Sequence, residues 1–257
     1  MARMRDASNV TIEGIGYDAT IDGWGLHYMC SSAYSQYGYG FEARNLNFQN
    51  YPEDALGMEG IQTGSQITAP VRRCWIHHNS FEAGYCANPA ESDKKEGDGS
   101  CDFKRGEYYT MEYCTYRNCH KTNLVGSSDS SMQFHLTMAN NHYIDCQARG
   151  PLARQADVHM YNNYYLNCGT CIDARASALV LSENQYFEGS SNCYKVTASS
   201  SEGNPAIKAV GDILTSSKYT KRDNIMNDAS RDAALTTTGN KNANPSFDTN
   251  YKCVLLQ

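Results

Sequence analysis

The sequence lacks three features that mark particular protein classes. It contains no run of about 18 apolar residues, so it predicts no transmembrane helix and no membrane partner. Its 22 Lys and Arg do not outnumber its 28 Asp and Glu, and the net charge of −6 argues against nucleic-acid binding. No segment longer than roughly 12 residues carries a convincing helical period. What remains is an all-β chain, which can still bind an acidic ligand where cations or a metal are concentrated.

Cysteine, by contrast, is plentiful, with 11 residues. Their spacing matches no zinc motif, because Cys168 and Cys171 form a lone CxxC without a second pair. Such a count predicts a secreted protein with some disulfides, one of which would join Cys86 to Cys101 across a polar loop. The odd number leaves at least one thiol free or bonded to another chain. No signal peptide is visible at the N-terminus.

Five segments repeat one pattern, in which a short alternating apolar run is followed by a key position and, two residues later, an aromatic residue. The key positions are Asn79, Cys114, Asn141, Asn163 and Asn184. A unit of about 22 residues is too short to bury its own apolar face, so such units stack on one another. Runs rich in Val, Ile, Tyr, Phe and Thr, bounded by turn residues, predict strands. The pattern therefore predicts a right-handed parallel β-helix with a ladder of asparagine amides.

The cysteines follow the same register, since Cys119, Cys146 and Cys168 each lie five residues after a key position. Stacked neighbours at strand spacing could form disulfides, or they could remain as a buried stack of reduced sulfurs. The repeats predict one domain, residues 1–257, with a solenoid core at about 9–189. Residues 190–257 would form a loop-rich tail along the solenoid, with a short helix near 227–235 and Cys253 as an anchor.

Three groups of residues could carry chemistry. Acidic residues in EGDGSCDFKRG and PEDALGMEG suit a hard cation such as Ca²⁺, although acidic loop residues are usually only solvated. Lys121, Arg149 and Arg154 could bind carboxylates, because arginine is suited to planar, bidentate contacts, although ordinary surface charge is the simpler interpretation. His77 and His78 should point to opposite faces of a strand, so one of them is expected to be packed and hydrogen-bonded.

Taken together, several motifs in order resemble the pectate lyases of polysaccharide lyase family 1. The resemblance covers residues 8–168, and its motifs are SNVTIEGIG, DATIDGWG, EDALGMEG, WIHHNSF, DGSCDFKRG, HKTNLVGSSDS, LTMANNHYIDC and ARGPLARQADVHMYNNYY. The block RxPxxR followed by VHxYNNYY is its most specific part. The family folds as a right-handed parallel β-helix, in agreement with the repeats.

The resemblance implies a role for six residues. The family's calcium ligands fall on Asp54, Asp98 and Asp102. Its substrate lysine falls on Lys121, its catalytic base on Arg149 and its second substrate arginine on Arg154. The implied activity is calcium-dependent β-elimination of de-esterified homogalacturonan, by a secreted monomer. The implied alternatives are a pectin lyase acting on methyl-esterified pectin, a β-helical polygalacturonase, and a solenoid that binds pectin without cleaving it.

Three departures from the family pattern accompany the resemblance. His77 stands where the family usually has aspartate in Trp-Ile-Asp-His. A segment of roughly ten extra residues separates Asp54 from Trp75. The chain also begins at the SNxTIxG element, so an N-terminal cap is expected to be missing, which would leave a strand edge exposed for association.

Overall fold

The computed structural model describes residues 1–31, 38–83, 97–197 and 203–227, and it shows the predicted right-handed parallel β-helix. Most coils contribute one strand to each of three parallel sheets, called A, B and C here. Within the described ranges there is no α-helix. Consequently no helix there is long and apolar enough to span a membrane.

The strands of each sheet are given in spatial order. Sheet A comprises β1 (Ala2–Arg5), β4 (Leu26–Met29), β7 (Asp54–Glu59), β12 (Gly99–Lys104), β15 (Leu124–Val125), β18 (Leu152–Arg154), β21 (Thr170–Arg175) and β24 (Asn192–Thr197). Sheet B comprises β2 (Val10–Glu13), β5 (Tyr39–Arg44), β10 (Val71–His77), β13 (Gly106–Glu112), β16 (Gln133–Ala139), β19 (Ala156–Tyr161), β22 (Leu179–Glu183), β25 (Ala206–Val210) and β27 (Ile225–Asn227). Sheet C comprises β3 (Thr20–Asp22), β6 (Asn47–Gln49), β11 (Ser80–Glu82), β14 (Thr115–Arg117), β17 (His142–Ile144), β20 (Tyr164–Leu166), β23 (Tyr186–Glu188) and β26 (Ile213–Thr215).

The amide ladder lies at the turns between sheets B and C. Asn141 accepts a hydrogen bond from the Cys114 backbone N–H at 2.9 Å, and Asn163 accepts one from the Asn141 N–H at 2.9 Å. Gln185 continues the ladder by accepting from the Asn163 N–H, also at 2.9 Å. The sequence placed this last rung at Asn184, which was wrong, because Asn184 has the positive φ of the preceding turn position.

Aromatic rings and thiols stack inside the coils of sheet C. A row of rings lies at 4.6–5.0 Å between successive centroids: Phe48, Phe81, Tyr116, Tyr143, Tyr165 and Phe187. Cys119, Cys146 and Cys168 lie beside this row as buried free thiols, and each donates to a backbone carbonyl of a neighbouring coil. The stack of reduced sulfurs is thus the alternative that the structure shows.

The expected disulfides are absent from the described residues, where all nine cysteines are buried and none forms a disulfide. Burial in the stacked core, together with the hydrogen bonds that the Cys119, Cys146 and Cys168 thiols donate to carbonyls, explains the cysteine spacing without a covalent bridge. Cys101 is among these free thiols, whereas Cys86 and Cys253 lie outside the described residues.

The solenoid extends beyond residue 189, where the sequence pattern fades. Strands β24, β25, β26 and β27 continue all three sheets, so the described residues of 190–197 and 203–227 belong to the solenoid rather than to a tail. The extension was missed because Asp212, not asparagine, occupies the next rung, where it accepts from the Gln185 N–H at 2.8 Å. The helix expected near 227–235 falls outside the described residues except for Asn227, which ends a strand.

Candidate active site

One cleft of about 400 Å³ on the outer face of sheet A is lined by all six site residues that the sequence singles out. Stacking of the coils brings them together. Asp54 begins β7, Asp98 directly precedes β12, and Asp102 lies within β12. Lys121 precedes β15, and Arg149 precedes β18. Arg154 is the last residue of β18 and also lines the cleft. The rest of the lining is Glu53, Lys104, Leu124 and Ser127.

Lys121 and Arg149 come from neighbouring coils. Lys121 forms a parallel bridge with Ala148, which places Arg149 beside it. Arg149 has a φ of 66°, and its carbonyl oxygen accepts from the Asn123 N–H at 2.6 Å and from the Thr122 hydroxyl. The backbone of the candidate base is therefore held by the two residues that follow the candidate substrate lysine.

The buried Asp102 and the partly buried Asp54 share one ammonium in the cleft. Lys104 Nζ lies 3.5 Å from Asp54 Oδ2 and 3.3 Å from Asp102 Oδ2. Burial, and then the charge of Asp54, raises the pKa of Asp102 to about 7. Burial also raises the pKa of Asp54, and Lys104 opposes that change. The single ammonium thus leaves this pair of carboxylates short of positive charge.

Asp98 is paired with a lysine of the next coil. Its Oδ1 atom lies 2.8 Å from Lys121 Nζ, and the Lys121 side chain is only 3% exposed. The metal ligand and the substrate lysine that the sequence predicts are therefore paired with each other in this structure.

Arg154 lies in the cleft but already has partners. Its Nε donates to Asp129 Oδ1 at 2.8 Å, and a terminal nitrogen donates to the Gly126 carbonyl at 2.9 Å. Arg175 Nη2 lies 3.6 Å from Asp129 Oδ2. Burial, followed by the charge of Arg175, lowers the pKa of Arg154. Any carboxylate that binds Arg154 must use the remaining edge of the guanidinium group.

The donor set suits a hard cation, because it consists of carboxylates beside an open cleft. Gly99 lies against the Asp54 and Asp102 carboxylates. A Cβ at this position would come 2.7 Å from both Asp54 Oδ1 and Asp102 Oδ1, so only glycine leaves room for these oxygens. Among the described residues, no three acidic, histidine or cysteine groups converge closely enough to hold a metal. Asp54 and Asp102 thus offer carboxylate oxygens next to each other, paired with Lys104, whereas Asp98 is paired with Lys121.

The extra segment before Trp75 forms an antiparallel hairpin, β8 (Ile61–Thr63) with β9 (Gln66–Ala69). Its Gln62 side chain accepts from the Met132 N–H at 2.9 Å and donates to the Ser130 carbonyl at 2.6 Å. Asp129, the partner of Arg154, belongs to the same loop. The hairpin thus fixes a loop that forms one side of the cleft.

His77 and His78 are not among the residues that line the cleft. His77 is buried and lies 3.0 Å from Glu42 Oε1, as predicted for one of the two histidines. The expectation of opposite faces was wrong, since the two Nδ1 atoms lie 2.8 Å apart. The reason is local, because β10 ends at His77 and His78 has a φ of 53°.

Sequence reasoning missed Lys104 and Asp129. Lys104 follows Asp102 by two residues in β12, and this spacing could have predicted that both face the cleft. Asp129 carried no comparable signal, because it belongs to a polar loop whose path only the structure provides.

Comparison with known proteins agrees with this geometry. A family model described as Pectate lyase matches residues 4–253. The curated Pectate lyase A of Emericella nidulans is 28% identical over 154 residues, which cover 57% of this chain and 41% of that protein.

Solved structures also match. A pectate lyase from Bacillus sp. N165 in complex with trigalacturonate is 25% identical, with a TM-score of 0.64 over 81% of this chain and 64% of that one. A variant pectate lyase from Xanthomonas campestris has the same fold, with a TM-score of 0.71, 21% identity, and coverage of 86% and 65% of the two chains. The chain thus spans less than two thirds of these relatives' lengths. Because the family model matches nearly all of it, the chain belongs to the pectate lyase family.

Proposed function

We propose that this protein is a calcium-dependent pectate lyase that cleaves de-esterified homogalacturonan by β-elimination. The observation that carries the proposal is the single cleft that gathers Asp54, Asp98, Asp102, Lys121 and Arg149 with a second arginine at its edge. The similarity to a lyase solved with trigalacturonate supports the same class of substrate.

The cations of the cleft would bind and orient one galacturonate unit. Lys121 would offer its ammonium to a uronate oxygen after leaving Asp98, and Arg154 would offer the free edge of its guanidinium group. Because Asp129 and Gly126 hold the other edge, Arg154 is fixed in place before the substrate binds. Such preorganisation lowers the entropic cost of positioning the reacting sugar.

Arg149 would act as the general base. It would accept the C5 proton, the C4–O bond to the next sugar would break, and the departing oxygen would receive a proton from solvent. The products would be a shortened chain and a chain with a 4,5-unsaturated uronate at its non-reducing end. Arginine is ordinarily protonated, so the cycle requires Arg149 to lose a proton first, which alkaline solvent favours.

Calcium held by Asp54, Asp98 and Asp102 would neutralise the substrate carboxylate and stabilise the negative charge that develops as the C5 proton leaves. Three carboxylates supply only part of the 6–8 oxygen ligands typical of Ca²⁺, so solvent and substrate oxygens would complete the shell.

A polygalacturonase is the alternative that one observation favours, since hydrolysis of a glycosidic bond needs paired carboxylates with separated pKa values. Burial raises the pKa of Asp102 to about 7, so this carboxyl could act as the general acid beside Asp54, whose pKa burial also raises. The hydrolase has no role for the Lys121 and Arg149 pair, which is why we favour the lyase. A pectin lyase would have no need of three acidic ligands.

The test is the ultraviolet absorbance of polygalacturonate incubated with the protein, with calcium and with excess EDTA. The proposal predicts that absorbance from the new double bond appears only with calcium. Shortened chains without that absorbance would indicate a hydrolase, and activity on methyl-esterified pectin in EDTA would indicate a pectin lyase. Bound polymer that is never shortened would indicate a binding solenoid.

Secretion and a monomeric state belong to the same proposal. The proposed substrate is a polymer too large to enter a cell, which supports a site of action outside it. Gel filtration of the protein would test the monomeric state, which predicts elution at the size of a single chain.

A further inference from the structure

The Gln62 side chain is not among the residues that line the cleft, yet it holds a loop beside it. Its Oε1 accepts from the Met132 N–H at 2.9 Å, and its Nε2 donates to the Ser130 carbonyl at 2.6 Å. One amide group thus binds the loop of residues 127–132 on both sides of Ser131. The proposed reaction gives Gln62 no role of its own.

The hairpin that carries Gln62 is itself fixed. Ile61 pairs in register with Ala69, which is fully buried, and the Thr68 hydroxyl donates to the Ile61 carbonyl at 3.4 Å. The Gln62 amide also donates to the carbonyl of Gly64, at 2.8 Å, in the turn of the hairpin. The amide is therefore oriented by its own hairpin as well as by the loop.

The tip of the 127–132 loop is open to solvent, since Ser130 is exposed and Asp129 is only partly buried. Side chains from two other parts of the chain hold its backbone. Gln62 binds the Ser130 carbonyl, and the Gln155 side chain donates to the Asp129 carbonyl at 3.1 Å. Removal of the Gln62 amide would take away one of these two anchors.

Asp129, at this tip, sets the direction of the Arg154 guanidinium group. Arg154 donates to the loop at Asp129 Oδ1, at 2.8 Å, and to the Gly126 carbonyl, at 2.9 Å. The Gly126 N–H donates to the Phe103 carbonyl of β12 at 2.9 Å, so the solenoid fixes the second contact. The contact with Asp129 is the one whose position depends on the loop.

Arg175 makes the position of Asp129 more consequential. Its Nη2 lies 3.6 Å from Asp129 Oδ2, so one carboxylate lies between two guanidinium groups. A displaced Asp129 would weaken its bond to Arg154 and leave Arg154 facing the like charge of Arg175. The edge of Arg154 that remains for a uronate would then lose its fixed direction, on which planar, bidentate binding of a carboxylate depends.

We propose that Gln62 is a positioning residue that acts through the 127–132 loop and Asp129 to orient Arg154 for a uronate carboxylate. The proposal rests on the proposed function, because it takes Arg154 as a substrate-binding residue. It adds to that function a dependence of substrate affinity on a hairpin outside the cleft.

The test compares Gln62→Met, which removes the bonds to the loop at similar side-chain size, with Gln66→Met, at the exposed glutamine of β9 in the same hairpin. Initial rates on polygalacturonate are measured at saturating calcium. Gln62→Met should raise KM roughly three- to tenfold and leave kcat within about twofold, because it weakens a contact made alike in the ground and transition states. Gln66→Met should change neither.

A double-mutant cycle separates positioning from a general loss of structure. In an Arg154→Ala background, Gln62→Met should change KM by less than about twofold, because the side chain through which Gln62 acts is gone. An unchanged KM for Gln62→Met alone, an equal effect of Gln66→Met, or the same fold increase in both backgrounds overturns the positioning role. If Gln62→Met melts below the assay temperature, Gln62→Glu carries the same cycle, since it keeps the acceptor for the Met132 N–H and loses the donor to the Ser130 carbonyl.

The same proteins keep the two proposals apart. Unsaturated product from the unmodified protein, with no change of KM in Gln62→Met, overturns the positioning role alone. The absence of unsaturated product from the unmodified protein overturns the lyase. The cycle is then measured as the affinity for trigalacturonate by calorimetry, and weaker binding by Gln62→Met only when Arg154 is present supports the positioning role.

Discussion

Lys121 Nζ and Asp98 Oδ1 form a partly buried ion pair at 2.8 Å, so a residue expected to bind substrate holds one expected to bind calcium. Calcium binding at Asp98 must break this pair, which then frees the ammonium for a uronate. We predict that Lys121→Met binds calcium roughly three- to tenfold more tightly without substrate, because a competing cation is gone. The same variant should lose most of its activity on polygalacturonate.

Calorimetric titration with calcium, in the absence of polymer, measures the first effect. Lys208→Met, on sheet B, is the matched control and should leave calcium affinity unchanged. Weaker calcium binding by Lys121→Met would mean that Lys121 supports the acidic site rather than competing for it.

The acidic residues should set the calcium requirement. Asp98→Asn and Asp102→Asn each remove one anionic ligand, so each should raise the calcium concentration for half-maximal activity by roughly tenfold or more. Chelation with EDTA should abolish activity in all forms. The measurement is a calcium titration of initial rates, and full activity of the unmodified protein in excess EDTA would refute the metal assignment.

The amide ladder should be a main source of stability. Asn141→Ala removes the acceptor of the Cys114 N–H and the donor to the Met111 carbonyl, both in a buried turn. Leaving such groups unpaired costs roughly 1–3 kcal/mol each, so we expect a loss of about 2–5 kcal/mol in the free energy of unfolding. Chemical denaturation measures it. His142→Ala, at the exposed neighbouring position, should cost far less, and equal losses would argue against the ladder.

His77 should make stability depend on pH. Burial lowers the pKa of His77, and its hydrogen bond to Glu42 partly offsets this by raising the pKa. The pKa of a histidine in the unfolded chain is about 6.5. Between that value and the lowered pKa of folded His77, the unfolded chain binds more protons than the folded protein. The free energy of unfolding therefore falls as the pH falls below 6.5. His77→Gln removes it.

The measurement compares the melting temperatures of His77→Gln and the unmodified protein at a pH above 7 and at a pH near 5. The raised pKa of Asp102 makes the free energy of unfolding rise as the pH falls through this range. This effect is the same in both proteins, so it cancels in the comparison. The stability of the unmodified protein relative to the variant should therefore fall in acid. A difference that stays constant with pH would show that His77 does not titrate there.

The β-helix could be predicted because its repeats are a local pattern of residue type, and the family motifs likewise pointed to six residues that the structure brings into one cleft. The end of the solenoid could not, because Gln185 and Asp212 take over a role that asparagine has elsewhere. Both side chains offer a carbonyl or carboxylate oxygen to the backbone N–H, so the hydrogen bond persists while the residue pattern does not.

The arrangement inside the cleft was also beyond the sequence. Two ion pairs depend on how loops from different coils meet. These are the pair between Lys121 and Asp98 and the pair between Arg154 and Asp129. Sequence spacing constrains neighbours along a strand, such as Asp102 and Lys104, but it does not constrain pairs that lie a coil apart.

The kinetics of Arg149→Lys on polygalacturonate at saturating calcium decide whether Arg149 is the base. Lysine keeps the charge but replaces the planar group with a shorter side chain ending in a point charge. Because general-base catalysis contributes about 10²–10⁴-fold, kcat should fall by at least that range while the melting temperature and calcium affinity stay nearly unchanged. Arg154→Lys, in comparison, should act mainly on KM. If Arg149→Lys keeps the kcat of the unmodified protein, another residue removes the C5 proton and the proposed mechanism is wrong.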